Sequence, residues 1–387
     1  MGAEYVLCLM SGDYTQRGEP ACLSRRTRVS MALAGGADAV LLYPARHATS
    51  SAEAYAMSAV RILEKLHVAD ALVFGSESGE IAPLYSCAEI LADEPPSYRE
   101  ALLRGLKSGL SFPSARAAAL PEYASVLSEP NQILGVEYCK ALIRTNARMR
   151  PVTVKREGSL HGEQKMSGRV ASASAIRAAL EKAFRTPSWD LPPVFPPSLA
   201  EVIPPASFAY LRQDVSEWGI LTAEDFADLL ISALWRTDEA DRLSAYADVT
   251  GSLAGTFLRE RSSFGTWEDF AERCASKSLT VSHVSRAMLH MVLGMKKDPC
   301  LESENALFTQ ILGIRRGAEE LLPVIRKASE IPVLVRPHED SRILTGSCRR
   351  LFDEEVRVTN LYEALRARKS GTETAHYFRE GMLKYPG

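Results

Sequence analysis

The stretch LMSGDYTQRGEPACLSRRTR, residues 9–28, decides the fold class of this chain. It overlaps an apolar run, YVLCLM (5–10), that is typical of a buried strand, and it leads through a glycine-containing loop into an arginine-rich helix start. A strand, a glycine loop and a helix start in this order are typical of part of a phosphate-binding site. The sequence therefore predicts that residues 9–28 border such a site.

Three more apolar runs predict strands at ADAVLLYP (37–44), ADALVFG (69–75) and RPVTVKR (150–156). The segments between them have helical periodicity. Strands that alternate with helices predict an α/β fold, a parallel sheet with helices on both faces. In such sheets ligands bind beyond the carboxyl ends of the strands.

The later part of the chain follows a different pattern. We expect a nucleotide-binding α/β domain over 1–186, a proline-rich connector over 187–207, a helical region without strands over 208–330 and a small segment over 331–387. In the last part, SEIPVLVRP (329–337) predicts one strand, and a helix is expected at 341–351.

Composition limits the class of protein. The 387 residues carry a net charge of −2, so any nucleic-acid surface must be local. Seven scattered cysteines fit buried thiols in a reducing cytosol and form no metal-binding pattern. The sequence has no apolar run near 18 residues and no secretory signal at its start, so we expect a cytoplasmic protein with no membrane contact. It indicates no obligate protein partner.

Two segments offer groups for a nucleotide. In VFGSESGE (73–80), Gly75 ends a strand and permits close approach of a ligand to the backbone, although a plain turn with Ser76 and Ser78 as helix caps explains the pattern equally simply. In SEPNQILGVEYCKAL (128–142), Asn131 either caps a helix or projects its amide towards a base.

Two further segments offer groups for phosphate. Lys155 and Arg156 end a predicted strand, and VASASAIRAAL (170–180) starts a helix with serines and Arg177. Each has an ordinary alternative, a solvated charge pair or a simple cap. All four segments lie at a strand end or a helix start of one α/β unit, which favours a single nucleotide crevice.

The window 136–185 contains eleven Lys and Arg against four Glu, a net charge of +7. Such an excess suits a polyanion such as RNA. A second basic region contains Arg315 and Arg316, where nearby Glu319 and Glu320 dilute the charge and a solvated helix face is the alternative.

The quoted segments together resemble the bacterial tRNA(Met) cytidine acetate ligases. The likeness is carried by MSGDYTQRGEPA, LVFGSESGE, EPNQILGVEYCKAL, VKREGSLHGE and SASAIR, in that order, and later by SKSLTVSHVSRAMLHMVLG, QILGIRRGAEELL and SEIPVLVRP. The resemblance covers most of the chain. It implies a Rossmann-like nucleotidylyltransferase domain of the HUP type, followed by a mostly helical region that binds tRNA.

The resemblance also implies an activity. ATP, with Mg²⁺, and acetate would form acetyl-adenylate, and the acetyl group would pass to N4 of the wobble cytidine of elongator tRNA(Met). Gly75, Asn131 and Arg156 correspond to ATP-contacting positions. Weaker candidates for the ATP site are Gln16, Arg17, Ser174 and Arg177, and the candidates for tRNA contact are Arg144, Arg148, Lys165, Arg169, Arg315 and Arg316. The sequence singles out no catalytic residue.

One departure from the family is clear, because the chain has no H-x-G-H element. Either the true start codon lies upstream, which we favour, or the protein has lost the element and is inactive or repurposed. Two other functions therefore stay open: an inactive RNA-binding homologue, and a nucleotidylyltransferase for a small phosphorylated substrate.

Overall fold

The computed structural model describes residues 2–157, 171–184 and 194–386. The four strands predicted in the first half are present. The described strands, in chain order, are β1 (Leu7–Ser11), β2 (Tyr14–Thr15), β3 (Glu19–Pro20), β4 (Ala39–Tyr43), β5 (Ala71–Ser76), β6 (Arg150–Lys155), β7 (Thr309–Arg315), β8 (Val333–Leu334) and β9 (Leu383–Tyr385).

The main sheet has five strands in the order β1-β4-β7-β8, with β9 also paired to β7. β1 and β4 run parallel, as the sequence predicts, whereas β4 and β7 are antiparallel. β5 and β6 form a separate parallel pair. The main sheet and the β5–β6 pair both contribute to one hydrophobic cluster, which contains Leu41, Ile62 and Leu72.

Helices cover both faces of the sheet and form a separate bundle in the second half of the chain. They are α1 (Arg25–Ala34), α2 (Ala45–Ala48), α3 (Ala52–Leu66), α4 (Ile81–Asp93), α5 (Pro96–Lys107), α6 (Phe112–Ala119), α7 (Pro130–Arg144), α8 (Ala173–Phe184), α9 (Pro197–Val202), α10 (Pro205–Trp218), α11 (Ala227–Leu234), α12 (Ala240–Ser244), α13 (Gly251–Glu260), α14 (Trp267–Cys274), α15 (Val281–Leu293), α16 (Leu321–Ala328), α17 (Pro337–Asp340) and α18 (Gly346–Ser370).

β4 shows how the pattern of side chains builds the layers. Successive residues of a strand point to opposite faces of the sheet. Leu41 accordingly packs in the cluster that α3 contributes to, whereas Leu42 packs with α1 and α18 on the other face. All five residues of β4 are buried, which explains why the strand is apolar throughout.

The expectation of a region without strands over 208–330 is wrong, because β7 lies inside the main sheet. A short apolar run cannot be assigned to helix or strand by periodicity alone, and the segment resembles the start of a helix. Gly313 is the residue that suits a strand covered by a helix. A Cβ at this position would lie 2.5 Å from Cγ1 of Val29 on α1. The glycine lets α1 pack directly on the strand.

The helix predicted over 341–351 is too short and misplaced, since α18 spans 25 residues from Gly346. Its buried face carries polar side chains as well as apolar ones, including Glu355, Thr359 and Glu363. A sequence pattern that looks for an apolar stripe ends such a helix early. This polar face contacts the loop after β1, which makes the helix part of the candidate site.

No helix in the described parts of the chain is both long and apolar enough to cross a membrane. All seven cysteines are free thiols, and four of them are buried. The linear domain boundaries stay a prediction, although β7 shows that the second half of the chain contributes to the sheet of the first half.

Candidate active site

The carboxyl ends of β5 and β6 bring two predicted residues together. Gly75 pairs in register with Val154, and the N–H of Arg156 donates a 2.9 Å hydrogen bond to the carbonyl oxygen of Ser76. A Cβ on Gly75 would lie 3.2 Å from Cγ of Arg156. Gly75 and the guanidinium-bearing side chain of Arg156 are therefore neighbours, and both are exposed.

The third predicted residue, Asn131, joins this group through Glu77. The Glu77 carboxylate accepts hydrogen bonds from Nδ2 of Asn131 at 2.7 Å and from the backbone N–H groups of Asn131 and Gln132 at 3.3 and 2.9 Å. Because a carboxylate only accepts hydrogen bonds, the amide nitrogen of Asn131 must face Glu77. Its carbonyl oxygen and one N–H remain for other partners.

Asn131 therefore does not cap α7, contrary to one of the two interpretations of the sequence. The N-cap position is Glu129, and Glu77 satisfies the free N–H groups of the first turn instead. Glu77 was missed in the sequence, where it stands out only as an acidic residue two positions after a candidate glycine.

The turn between β5 and α4 is tightly packed. A Cβ on Gly79 would lie 2.6 Å from Cβ of Lys155, and Gly79 has a φ of +74°. The Ser76 hydroxyl accepts a 3.0 Å hydrogen bond from the Gly79 N–H. Ser76 and Ser78 thus shape this turn and do not cap α4, whose N-cap is Glu80. This packing fixes Gly75 relative to Arg156.

The loop after β1, here called the glycine loop (residues 12–20), contains the β2–β3 hairpin. Gly18 has a φ of +79°, and a Cβ on it would collide with the backbone of Ser285 and Arg286 on α15. The Ser285 hydroxyl donates a 3.0 Å hydrogen bond to the Gly18 carbonyl oxygen. The helical half of the chain therefore sets the path of the glycine loop.

α18 holds the other side of the glycine loop. The Tyr14 hydroxyl donates a 2.9 Å hydrogen bond to the carbonyl oxygen of Val358, and the Tyr362 hydroxyl donates one of 2.8 Å to that of Ala21. The Thr359 hydroxyl donates a 2.8 Å hydrogen bond to the Asp13 carboxylate. These contacts join residues more than 300 positions apart, so no local sequence signal could predict them.

Buried carboxylates lie beneath the glycine loop. Glu355 accepts a 2.6 Å hydrogen bond from the Ala45 N–H, and burial raises its pKa to about 7. Burial also raises the pKa of Glu363 to about 7. The nearby negative charge of Asp13 contributes to both increases, and Arg25 opposes them. The loop therefore rests on a layer of carboxyl groups that titrate near neutral pH.

The weaker ATP-site candidates form a second group around the hairpin. Nη1 of Arg17 donates a 3.0 Å hydrogen bond to the Ser174 hydroxyl at the start of α8. Arg177, one turn later, forms a 2.9 Å ion pair with Glu19. Gln16 is half-buried next to Arg17. The structure thus joins the glycine loop to the serine-rich helix start that the sequence singled out separately.

The described candidates for tRNA contact lie away from both groups, near the amino ends of β4 and β6. Arg144 ends α7 and pairs with Glu53 and Glu94, while Arg148 precedes β6 and pairs with Glu64. Arg315 pairs with Asp38, which precedes β4, and Arg316 follows it. Lys165 and Arg169 lie outside the described residues. A tRNA contact for these six residues stays a prediction.

In the described parts of the chain, no three His, Cys, Asp or Glu side chains are grouped so that they could hold a metal ion. The group at the carboxyl ends of β5 and β6 and the group around the β2–β3 hairpin both offer cations and hydrogen-bonding side chains. Arg156, Arg17 and Arg177 supply positive charge, and Asn131 supplies an amide. Such groups bind phosphate and ribose oxygens.

Comparison with known proteins extends this picture. Residues 1–376 match the family model described as HIGH Nucleotidyl Transferase. The chain is 32% identical over 372 residues to the tRNA(Met) cytidine acetate ligase of Acetivibrio thermocellus, which covers 93% of this chain and 88% of the relative. It is 31% identical over 367 residues to the protein of the same name from Caldanaerobacter subterraneus subsp. tengcongensis, with 93% and 87% covered.

Two solved structures share the fold. The apo form I of Thermotoga maritima TmcAL superimposes with a TM-score of 0.88 at 27% identity, over 99% of this chain and 93% of that one. Thermotoga maritima TmcAL bound with alpha-thio ATP gives a TM-score of 0.83 at 28% identity, over 98% and 92% of the two chains.

Proposed function

The chain belongs to the HIGH nucleotidyl transferase family, among relatives named tRNA(Met) cytidine acetate ligase, and from this premise we propose that it is an ATP-dependent ligase that acetylates a cytidine of tRNA(Met). The proposed product is N4-acetylcytidine at the wobble position of the elongator tRNA. With tRNA as the substrate, the proposed site of action is the cytoplasm.

The observation that carries the proposal is the convergence of Gly75, Asn131 and Arg156 at the carboxyl ends of β5 and β6. Ligands of α/β sheets bind at this edge. A neighbour of the same fold was solved with alpha-thio ATP, which supports ATP as the nucleotide. Magnesium would enter with the phosphates of ATP, as their counter-ion.

The proposed reaction has two steps. A carboxylate oxygen of acetate attacks the α-phosphorus of ATP, the bond to the β-phosphate oxygen breaks, and pyrophosphate leaves. The cytidine N4 then attacks the acetyl carbonyl carbon, AMP leaves with the bonding electron pair, and N4 loses one proton. The first step makes acetate reactive, because AMP is a much better leaving group than oxide.

The described residues have distinct proposed roles in the first step. Gly75 lets the nucleotide lie against the backbone, since any side chain would press on Arg156. Arg156 neutralises phosphate charge that grows on the leaving pyrophosphate. Asn131, oriented by Glu77, offers its free carbonyl oxygen to a hydroxyl or amino group of the nucleoside.

The second group completes the crevice from the glycine loop. Arg17 and Arg177 carry positive charge beside the start of α8, where backbone N–H groups favour anions. Burial and the charge of Arg177 lower the pKa of Arg17. We propose that these groups, with Gln16 and Ser174, border the phosphates from the side opposite Arg156.

The test compares two arginines of one strand. Arg156→Ala removes the guanidinium at the carboxyl end of β6, whereas Arg150→Ala removes an exposed one at its amino end. We expect ATP affinity, measured by titration calorimetry, to fall roughly 10- to 100-fold in Arg156→Ala because a charged hydrogen-bonding partner is lost. Arg150→Ala should bind ATP as the wild type does.

The wild-type protein should release pyrophosphate from ATP only when acetate is present. Equal ATP affinity in the two variants would show that ATP does not bind at the proposed site beside Arg156. Pyrophosphate release with a phosphorylated small molecule in place of acetate would instead identify a nucleotidylyltransferase. RNA binding with no pyrophosphate release under any condition would identify an inactive homologue.

A further inference from the structure

The hairpin of the glycine loop carries Gln16 and Arg17 at its tip. The strands pair up to Thr15, so residues 16–18 form the loop, and the Gly18 N–H donates a 3.0 Å hydrogen bond to the Thr15 carbonyl oxygen. A turn followed by a residue of positive φ is a common way to close such a hairpin, and Gly18 supplies it with a φ of +79°. The position of Gly18 therefore determines where the side chains at the tip begin.

Two side chains of the helical half hold Gly18 in place. The Ser285 hydroxyl on α15 donates a 3.0 Å hydrogen bond to the Gly18 carbonyl oxygen, and Nε1 of Trp267 donates one of 3.1 Å to the Ser285 oxygen. Chemistry fixes the direction of both bonds, because an indole nitrogen only donates and a carbonyl oxygen only accepts. Ser285 thus gives its one proton to Gly18 and receives the proton of Trp267.

This series of hydrogen bonds is buried, and its outer end is anchored. Trp267 and Ser285 are 4% and 7% exposed, which excludes bulk water from both bonds. The backbone N–H of Trp267 donates a 2.8 Å hydrogen bond to the Glu224 carboxylate, and the indole ring packs in the hydrophobic cluster that also contains Tyr14 of β2. Buried hydrogen bonds in series polarise and strengthen one another, so Trp267 and Ser285 form a stiff support for the loop.

Arg17 needs such a support, because its surroundings oppose its charge. Its Nη1 donates a 3.0 Å hydrogen bond to the Ser174 hydroxyl, one turn before Arg177, which itself pairs with Glu19 at 2.9 Å. Burial removes water from the Arg17 guanidinium, and Arg177 repels it, so both lower its pKa. Like charges held together in this way are favourable when an anion binds between them.

We propose that Ser285, supported by Trp267, is a positioning residue that holds Arg17 where it meets the phosphates of ATP. The helical half of the chain thus completes the nucleotide site of the first half. The identity of the ligand rests on the proposed function. The proposal also gives a role to α15, which lies in the segment SKSLTVSHVSRAMLHMVLG that the sequence singles out without assigning it a task.

The test is a double-mutant cycle between Arg17 and Ser285, with ATP affinity measured by titration calorimetry. Arg17→Ala should weaken ATP binding roughly tenfold, because a charged hydrogen-bonding group is lost. Ser285→Ala should weaken it roughly threefold to tenfold, because Arg17 loses its orientation. The double variant should bind ATP as Arg17→Ala alone does, since both substitutions act on one contact.

Trp267→Phe tests the outer bond by itself. The substitution keeps an aromatic ring in the cluster but removes the N–H that bonds Ser285. We expect a loss of ATP affinity of about twofold to threefold, smaller than that of Ser285→Ala, because the bond from Ser285 to Gly18 remains. This variant also keeps the test decisive if Ser285→Ala does not fold.

Two controls distinguish positioning from general stability. Ser58, also 7% exposed, donates its hydroxyl to the Ala54 carbonyl oxygen of its own helix at 2.6 Å, so Ser58→Ala removes an equally buried hydroxyl and should leave ATP affinity unchanged. Adenosine has no phosphate, so Ser285→Ala and the wild type should bind it equally in an NMR titration. A protein that was partly unfolded would lose both ligands in the same proportion.

Three results would overturn the positioning role: additive losses in the double variant, full ATP affinity in Ser285→Ala while Arg17→Ala binds weakly, or an equal loss of adenosine and ATP in Ser285→Ala. Full ATP affinity in Arg17→Ala would also overturn it, because the hairpin would then not meet the phosphates. The effect of Arg156→Ala on ATP affinity and acetate-dependent pyrophosphate release report the proposed function on their own, so the two ideas fail separately.

Discussion

The arginines of the amino-end edge differ from Arg156 at the carboxyl-end edge in whether a carboxylate pairs with them. Near the amino ends of β4 and β6, Arg144, Arg148 and Arg315 each pair with a carboxylate. At the carboxyl ends, Arg156 has no ion-pair partner among the described residues and lies against a glycine. A cation that is already paired stabilises the fold, whereas an unpaired cation beside a glycine is available to a ligand. Charge counting along the sequence does not separate the two.

The largest expected effect compares the loss of stability on substituting Gly18, in the glycine loop, with that on substituting Gly317, outside the loop. Gly18→Ala should lower the free energy of unfolding by about 3 kcal/mol, because the new Cβ collides with the backbone of α15 and the φ of +79° disfavours a side chain. Gly317→Ala, with a φ of +90° but open space around it, should cost about 1 kcal/mol. Urea denaturation measures both. A similar cost for the two would mean that contact with α15 does not fix the loop.

The carboxyl groups beneath the glycine loop predict a dependence of stability on pH. Glu355 has a pKa of about 7 in the folded protein and about 4.5 when unfolded, so the folded state binds more protons between these values. Its contribution to stability is fully present below pH 4.5 and is lost as the pH rises through 7.

Glu355→Gln should therefore remove a decline of roughly 2 kcal/mol in the free energy of unfolding between pH 5 and 8. Denaturation of both proteins across this range isolates the effect of the one carboxyl group. The idea fails if the difference between the variant and the wild type does not change with pH.

A smaller effect compares two carboxylates that each hold backbone and side-chain donors. Glu77→Gln weakens the bonds to Asn131 and Gln132 and should lower the free energy of unfolding by about 1 kcal/mol. It should also weaken ATP binding by roughly threefold to tenfold, because Asn131 loses its orientation. Glu64→Gln, which weakens the pair with Arg148 at the other edge, should leave calorimetric ATP affinity unchanged. Equal ATP affinity in both variants would show that the orientation of Asn131 does not contribute to ATP binding.

The smallest effect concerns the paired arginines themselves. Arg144→Ala should cost less than about 1 kcal/mol in chemical denaturation, since its pairs with Glu53 and Glu94 are exposed. We expect little change in ATP affinity. A drop as large as that of Arg156→Ala would show that the amino-end edge also contributes to nucleotide binding, and would erase the contrast between the two edges.

The sequence predicts the first half of the fold well for a physical reason. Short apolar runs with glycines and serines at their ends, as around Gly75, mark parallel strands and their turns within a few residues. The same local signals single out Asn131 and Arg156. The structure brings these three together through β5, α7 and β6, which all belong to the first half of the chain.

The remaining parts depend on contacts between distant residues. β7 is a strand because α1 packs against Gly313, and α18 continues past residue 351 because its buried polar side chains meet Asp13 and Ala45. His290, on α15 of the helical half, has its Nε2 2.9 Å from the hydroxyl of Thr49, which directly follows α2. No window of the sequence contains both partners of any of these pairs.

The hydrogen bond from Tyr14 to Val358 joins two segments that the ribosome synthesises at different times. The strand and hairpin that lead into the crevice leave the ribosome early, but the helix that holds them is made more than 300 residues later. At the usual speed of translation this interval is roughly 20 to 70 s. During that time β1 and its hairpin lack the hydrogen bonds that α18 supplies in the folded protein.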